Sequence, residues 1–146
     1  MIRDYRDGDH PEWLRMRRTL WDYCPVDEQV REMEQILVSD TELVFFAERR
    51  DGTLSGFLEV ALRSGADGCD STPVGYIEGW YVDPDVRRQG IGRALVEAAE
   101  SWARSKGCRQ MASDAELWNE VSHRAHVALG YQETARLMLF RKDLPR

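Results

Sequence analysis

No stretch of this chain is apolar for more than a few residues, and Met1-Ile2-Arg3-Asp4 does not open a cationic-then-apolar leader. With a mean hydropathy of −0.55, neither a membrane span nor a signal peptide is expected, and the expected location is cytoplasmic. Cysteine is scarce. Cys24, Cys69 and Cys108 are odd in number and lack any Cys-x-x-Cys spacing, which argues against a disulfide frame and against a zinc site, so no metal is expected. A cationic excess is missing as well: 20 Lys and Arg against 26 Asp and Glu give a net charge of −6 and a pI ≈ 5.1. A chain of that balance is a poor fit to nucleic acid phosphates and suits a cationic small molecule better. Repeats, linkers and low-complexity segments are also lacking. The 146 residues therefore read as one domain, 1–146, and the 42% hydrophobic share with five tryptophans is enough for a sizeable core.

What is present is a clear alternation of periods. Ile2 to Tyr5 reads as a short strand. Trp13, Met16 and Leu20 recur at helical spacing, with Arg15, Arg17 and Arg18 on other faces, in a helix that runs from Gly8 to near Trp21. Pro25 breaks the chain, Asp27 is the expected N-cap, and Val30, Met33, Ile36 and Leu37 mark a second amphipathic helix. Leu43–Ala47 and Leu54–Leu62 are β-rich runs joined by Arg50-Asp51-Gly52, and Asp-Gly favours a hairpin because both positions tolerate positive φ. Residues 63–73 are dense in loop formers and lead into a strand at Val74. A third helix carries Ile91, Leu95, Ala98 and Trp102 on its buried stripe and ends at Gly107. Arg109–Ser113 then reads as a strand, Asn119–Leu129 as a helix, and Tyr131–Glu133 with Leu137–Arg141 as closing strands.

The chemistry concentrates where the strand Gly75–Val82 meets the third helix, through Arg87-Arg88-Gln89-Gly90-Ile91-Gly92. Glycines lack a Cβ, so such a turn exposes successive backbone N–H groups, and the helix behind it adds orphan donors and a positive dipole end. Arg87, Arg88 and Arg93 add charge beside it. No Lys-Ser/Thr pair follows, which excludes a P-loop, and Leu95 stands where a dinucleotide fingerprint needs its third glycine. Two readings stay open: a diphosphate cradle, or a strand-to-helix loop with glycines for tight geometry.

The pattern Arg/Gln-x-x-Gly-x-Gly/Ala after a strand and Asp83-Pro84 resembles the acetyl-coenzyme A site of the GNAT N-acetyltransferases. The element order fits that α/β (α+β mixed) fold, a mostly antiparallel mixed sheet with helices on both faces. Three segments, Gly68–Val74 with Ile77-Glu78-Gly79, Lys106–Asp114, and Ala128–Thr134, are similar to the aminoglycoside 6'-N-acetyltransferases, which inactivate antibiotics by acetylating a sugar amine. The resemblance implies acetyl-CoA as cosubstrate, a cationic amine as acceptor and a homodimer. It implies cofactor contacts from Trp80, Tyr81 and Val82, from Arg87, Arg88, Gln89, Gly90, Ile91, Gly92 and Arg93, and from Asn119. On the acceptor side it implies Trp21, Glu78 and Asp114.

Acetylating an aliphatic amine requires removal of a proton, since such amines, like lysine at about 10.4, are protonated at neutral pH. Glu78 is the expected base or anchor for the ammonium. His126 stands four residues before Gly130-Tyr131, where many members of the superfamily place a tyrosine that protonates the leaving thiolate. Each residue also has a plainer reading: Trp21 as core, Asp114 and Asn119 as caps, Glu78 as a solvated strand residue and His126 as a structural hydrogen bonder. Gly65, Cys24 and Ala135 depart from the resembled pattern, all on the acceptor side. Two rival functions are an acetyltransferase of another cationic amine (a polyamine, peptide or metabolite) and a non-catalytic coenzyme A sensor.

Overall fold

A computed structural model describes residues 1–146, which form two compact units, Met1–Asp114 and Ala115–Arg146. The first unit holds a five-stranded sheet in sequence order, β1 (Ile2–Asp4), β2 (Glu42–Glu48), β3 (Leu54–Arg63), β4 (Val74–Val82) and β5 (Met111–Ser113). All pairings are antiparallel except β4 with β5, which is parallel. Three helices cover it: α1 (His10–Leu20), α2 (Val26–Val38) and α3 (Ile91–Ser105).

The helices divide between the two faces because the strands' apolar residues do. On one face, Trp13 and Met16 of α1 and Met33 and Ile36 of α2 pack on Val44, Phe46, Leu54, Phe57 and Tyr81. Trp13 meets Phe46 edge-on at 5.6 Å between centroids and is wholly buried, so its replacement by Ala would cost about 3–5 kcal/mol. On the other face α3 presses close: a Cβ at Gly56 would lie 3.3 Å from Leu95, and one at Gly75 would lie 2.8 Å from the Ala103 methyl. Glycine at these two strand positions lets the helix approach the backbone.

One buried polar cluster is built into the first face. Trp13 Nε1 and Arg17 Nε each donate to Glu59 Oε2 at 2.9 Å, and Arg17 also donates to the Gln29 carbonyl at 3.0 Å and to Glu32 at 2.8 Å. Burial pushes the Glu59 carboxyl up to about 7, against the pull of Arg17 and Trp13.

Boundaries differ from the sequence reading in instructive places. Pro25, not Asp27, occupies the N-cap position of α2, and Asp27 lies within the helix; a proline's fixed φ can precede a helix start directly. Helix α3 opens at Ile91, inside the glycine motif, because left-handed Gly90 makes the turn by itself and Gly92 is already helical. Arg63 belongs to β3 rather than to the loop, and β5 is limited to Met111–Ser113.

The second unit contains α4 (Glu120–Ala128), with Asn119 Oδ1 accepting from the Ser122 amide at 3.1 Å as its N-cap. The closing strands expected at Tyr131–Glu133 and Leu137–Arg141 do not form; residues 131–146 have no regular structure. β-propensity reports a fit to a half-buried pleated surface, and a run such as 137–141 becomes a strand only where a ladder accepts it. Leu137, Met138, Leu139, Phe140 and Leu144 are exposed.

Candidate active site

Strand β4 does not run evenly. Its register against β3 slips between Glu59 and Val60, with Glu59 opposite Gly79 and Val60 opposite Ile77, so Glu78 is the extra residue of a β-bulge. On its other side β4 pairs with β5 only over Gly75–Ile77. The two parallel strands therefore part company at the bulge, and β5 does not pair with β4 beyond Glu78. The Asp83 amide donates across to the Ser55 carbonyl of β3. By the alternation of strand hydrogen bonding, the Val82 and Trp80 amides point away from β3.

The chain then crosses a single 3-10 turn, Pro84–Val86, to the glycine turn, where Arg88 (φ 64°) and Gly90 (φ 85°) are both left-handed. No side chain caps the N-terminus of α3, so its first-turn amides point into the space ahead of the helix. A Cβ at Gly92 would lie 3.2 Å from the Trp80 ring, which packs this turn against the strand. Arg87 Nε donates to the Val82 carbonyl at 2.8 Å. Asp83 fastens the exit of β4: it accepts from Arg15 Nη1 and Nη2 and from Arg49 Nη2 at 3.1 Å and from the Tyr81 hydroxyl at 3.0 Å. Those contacts hold its carboxyl below the usual range although burial opposes them. Tyr81 thus has its ring against Phe57 and its hydroxyl on Asp83, while Trp80 and Val82 are half-buried.

Glu78 sits in an ionic and aromatic cluster. Arg63 grips it through Nε to Oε1 at 3.0 Å and Nη2 to both oxygens at 2.8 Å, and the guanidinium carbon lies 3.5 Å from the centroid of the Tyr76 ring. The Tyr76 hydroxyl donates to Asp114. Partial burial raises the Glu78 carboxyl above its ordinary range, with Arg63 pulling it back. Trp21 follows α1, and its ring fills the space where a Gly79 side chain would stand, 2.5 Å from an ideal Cβ. It also lines a hollow of about 700 Å³ with Leu14, Arg18, Tyr23, Cys24 and Val26. Trp21, Glu78 and Asp114 thus all reach β4 at or near the bulge, Asp114 through Tyr76. Arg63, Tyr76 and Asp83 were not singled out by sequence. Arg63 is a strand-end arginine, and only the β3–β4 register brings it over Tyr76 and Glu78.

Within the second unit, His126 Nδ1 lies 2.7 Å from the Ser122 carbonyl and must donate to it, and the ring meets Tyr131 edge-on at 5.8 Å. With its Nδ1 proton committed to a backbone carbonyl, this imidazole donates elsewhere only in its protonated form. Cys24, Glu28 and Glu32 gather with ligand atoms within 4.8 Å, but Glu32 is paired with Arg17, and desolvation with the neighbouring carboxylates holds the Cys24 thiol protonated.

A strand that leaves its parallel neighbour at a bulge, followed by an uncapped glycine-led helix N-terminus, is the arrangement that the resemblance to an acyl-CoA transferase implies. The model of the "Acetyltransferase (GNAT) family" matches residues 12–131. The chain is 42% identical to "Aminoglycoside N(6')-acetyltransferase type 1" of Klebsiella aerogenes over 99% of its length and 97% of that protein's. The corresponding protein of Stenotrophomonas maltophilia is 40% identical over 98% and 93%. A solved structure of AAC(6')-Iy in complex with the bisubstrate analogue CoA-S-monomethyl-acetylneamine superposes with a TM-score of 0.92 at 36% identity, over 99% of this chain and 98% of that one. The chain belongs to the GNAT acetyltransferase family.

Acetyl-CoA is the cosubstrate of that family, and the residues present fit it. The turn from Arg88 to Arg93 offers main-chain donors and positive charge to a diphosphate, and Val82 lies on the stretch of β4 that β5 does not pair, a place suited to an extended amide-bearing arm. The cosubstrate brings the activated acyl group; the protein supplies orientation and proton management.

Proposed function

We propose that this protein is an acetyl-CoA-dependent aminoglycoside 6'-N-acetyltransferase that confers antibiotic resistance by acetylating the 6'-amino group directly in a ternary complex. The observation that carries the reading is the bulge itself: it sets the Glu78 carboxylate, partly buried and raised in pKa, at the point where β4 and β5 separate. An acceptor ammonium at Glu78 stands beside the stretch of β4 that β5 does not pair, along which the thioester arm runs. Glu78 anchors the amine and takes its proton, directly or through water. The Val82 amide, pointing away from β3, polarises the acyl oxygen as negative charge develops on it. Trp21 forms the apolar wall of the acceptor site, and Asp114, through its bond to Tyr76, adds negative charge for a polycation. The Arg87–Arg93 turn holds the diphosphate; the family resemblance, rather than the geometry, assigns Asn119 a polar contact to the cofactor and His126 the protonation of the departing thiolate.

Two further features belong to this reading. The protein acts in the cytoplasm, where its free thiols Cys24, Cys69 and Cys108 stay reduced. It functions as a homodimer, for which the exposed apolar residues Leu137–Phe140 supply surface. Sedimentation equilibrium would return a monomer mass if the dimer is wrong.

Purified protein, acetyl-CoA and a panel of amines test the activity by thiol release and product mass. Acetylation of aminoglycosides bearing a 6'-amine, and none of matched drugs with a 6'-hydroxyl, is expected. Acetylation confined to polyamines or peptides would replace the acceptor assignment. Cofactor-dependent thermal protection without turnover on any amine would make the chain a coenzyme A sensor.

A further inference from the structure

Arg63 places a cation where the acceptor must place its own. Its guanidinium makes three hydrogen bonds to Glu78 and uses both carboxylate oxygens, and it lies over the face of Tyr76 at 3.5 Å. That is the arrangement a cationic amine would seek: a carboxylate ahead and an aromatic face beneath. Tyr76 is in turn bonded to Asp114, so the guanidinium sits in a small acidic and aromatic enclosure of the kind a substrate ammonium needs. The Arg63 side chain is 43% exposed, and its pairing is near the surface, where ion pairs are weak and exchange readily. A group held this way is displaceable.

We propose that Arg63 is an internal surrogate for the acceptor's ammonium: it occupies Glu78 in the resting enzyme and must be displaced by the incoming amine, so it selects for acceptors with several positive charges over simple monoamines. This rests on the acetyltransferase reading above. A polycation offers additional charges to Asp114 and compensates for the lost Arg63 pair. A monoamine offers one charge and exchanges one pair for another. Displacement also changes the proton affinity of the base. The charged groups around Glu78 are Arg63 at the end of β3, Asp114 after β5 and Glu42 on β2. Arg63 holds the carboxyl down while the two acids push it up, so without Arg63 the unoccupied Glu78 is the stronger base.

Arg63→Ala and Arg63→Lys are compared with the wild type, using a 6'-amino aminoglycoside and a simple monoamine with saturating acetyl-CoA. Removal of one exposed ion pair corresponds to roughly two- to fivefold in affinity. Arg63→Ala is expected to lower KM by about that factor, more for the monoamine than for the drug, with the KM for acetyl-CoA unchanged. The acid limb of kcat/KM should move to higher pH, and Arg63→Lys should restore it toward the wild type. Methylguanidinium, filling the vacated place, should inhibit Arg63→Ala competitively against the amine and leave the wild type nearly untouched. A raised acceptor KM in Arg63→Ala, or activation of that variant by methylguanidinium, would overturn the proposal and make Arg63 a fixed support for Glu78. If the wild type turns over a different amine, the acceptor assignment fails by itself and the same ratios are read with that amine.

Discussion

Substituting Gly79 by Ala tests whether the acceptor wall rests on the bulge. The new Cβ would lie 2.5 Å from Cη2 and 2.8 Å from Cζ2 of Trp21, and 3.5 Å from Phe57. Carbon contacts are normally about 3.5–4.0 Å, so the indole must retreat by about 1 Å. It has little room, being packed edge-on against Phe57 at 6.1 Å and under the Arg17 guanidinium at 4.6 Å. Overpacking of this size costs about 1–3 kcal/mol. Gly→Ala returns about 0.4–1 kcal/mol through the unfolded chain, leaving a net loss of about 1–2 kcal/mol. For a chain of this size that is about 2–8 °C in melting temperature. Because Trp21 yields, the acceptor KM should rise while the KM for acetyl-CoA stays put. A double-mutant cycle with Trp21→Ala cancels the entropy term: with the ring gone, Gly79→Ala should cost nothing, for a coupling of about 1–3 kcal/mol. Additive melting free energies, or equal damage to both Michaelis constants, would refute the contact.

Glu78→Gln should lower kcat with acetyl-CoA affinity nearly unchanged, whereas Gly92→Trp should weaken acetyl-CoA by driving against the Trp80 ring; isothermal titration and steady-state kinetics separate the two, and equal loss of cofactor affinity in both would contradict the division. Folding stability should fall as pH rises from about 4.5 to about 7, because folded Glu59 keeps its proton while the unfolded carboxyl has released its own; above that window its contribution is constant, and Glu59→Gln should flatten the slope in urea titrations. Asn119→Ala removes the cap of α4 and should cost about 1 kcal/mol of stability; an accompanying rise in the acetyl-CoA KM is the mark of the proposed cofactor contact, and an unchanged KM leaves only the cap.

The elements with local signals were legible in the sequence. Asp51-Gly52 announced the β2–β3 hairpin, Gly107 the end of α3, and Arg87–Gly92 the glycine turn ahead of α3. The bulge at Glu78, with Glu59 against Gly79, is a property of two strands and is written in neither. The same limit hid Arg63, which gains its role only from the register that lays it on Tyr76. Asp83 read as a turn residue because its partners, Arg15 and Arg49, lie 68 and 34 positions away. The run from Leu137 to Arg141 misled for the opposite reason: its composition suits a strand, but composition alone provides no edge to pair with.

The knot at Asp83 separates shape from attraction. Arg15, Arg49 and Tyr81 converge on a carboxylate that is largely withdrawn from water, and so shielded from dissolved ions, whereas Arg87, Arg88 and Arg93 face outward or nearly so and lose reach as the Debye length contracts from about 10 Å at 0.1 M to about 3 Å at 1 M. In strong brine the enzyme should therefore capture its anionic cosubstrate more slowly while keeping the lip of the pocket in place, so that salt taxes arrival and spares the geometry of transfer.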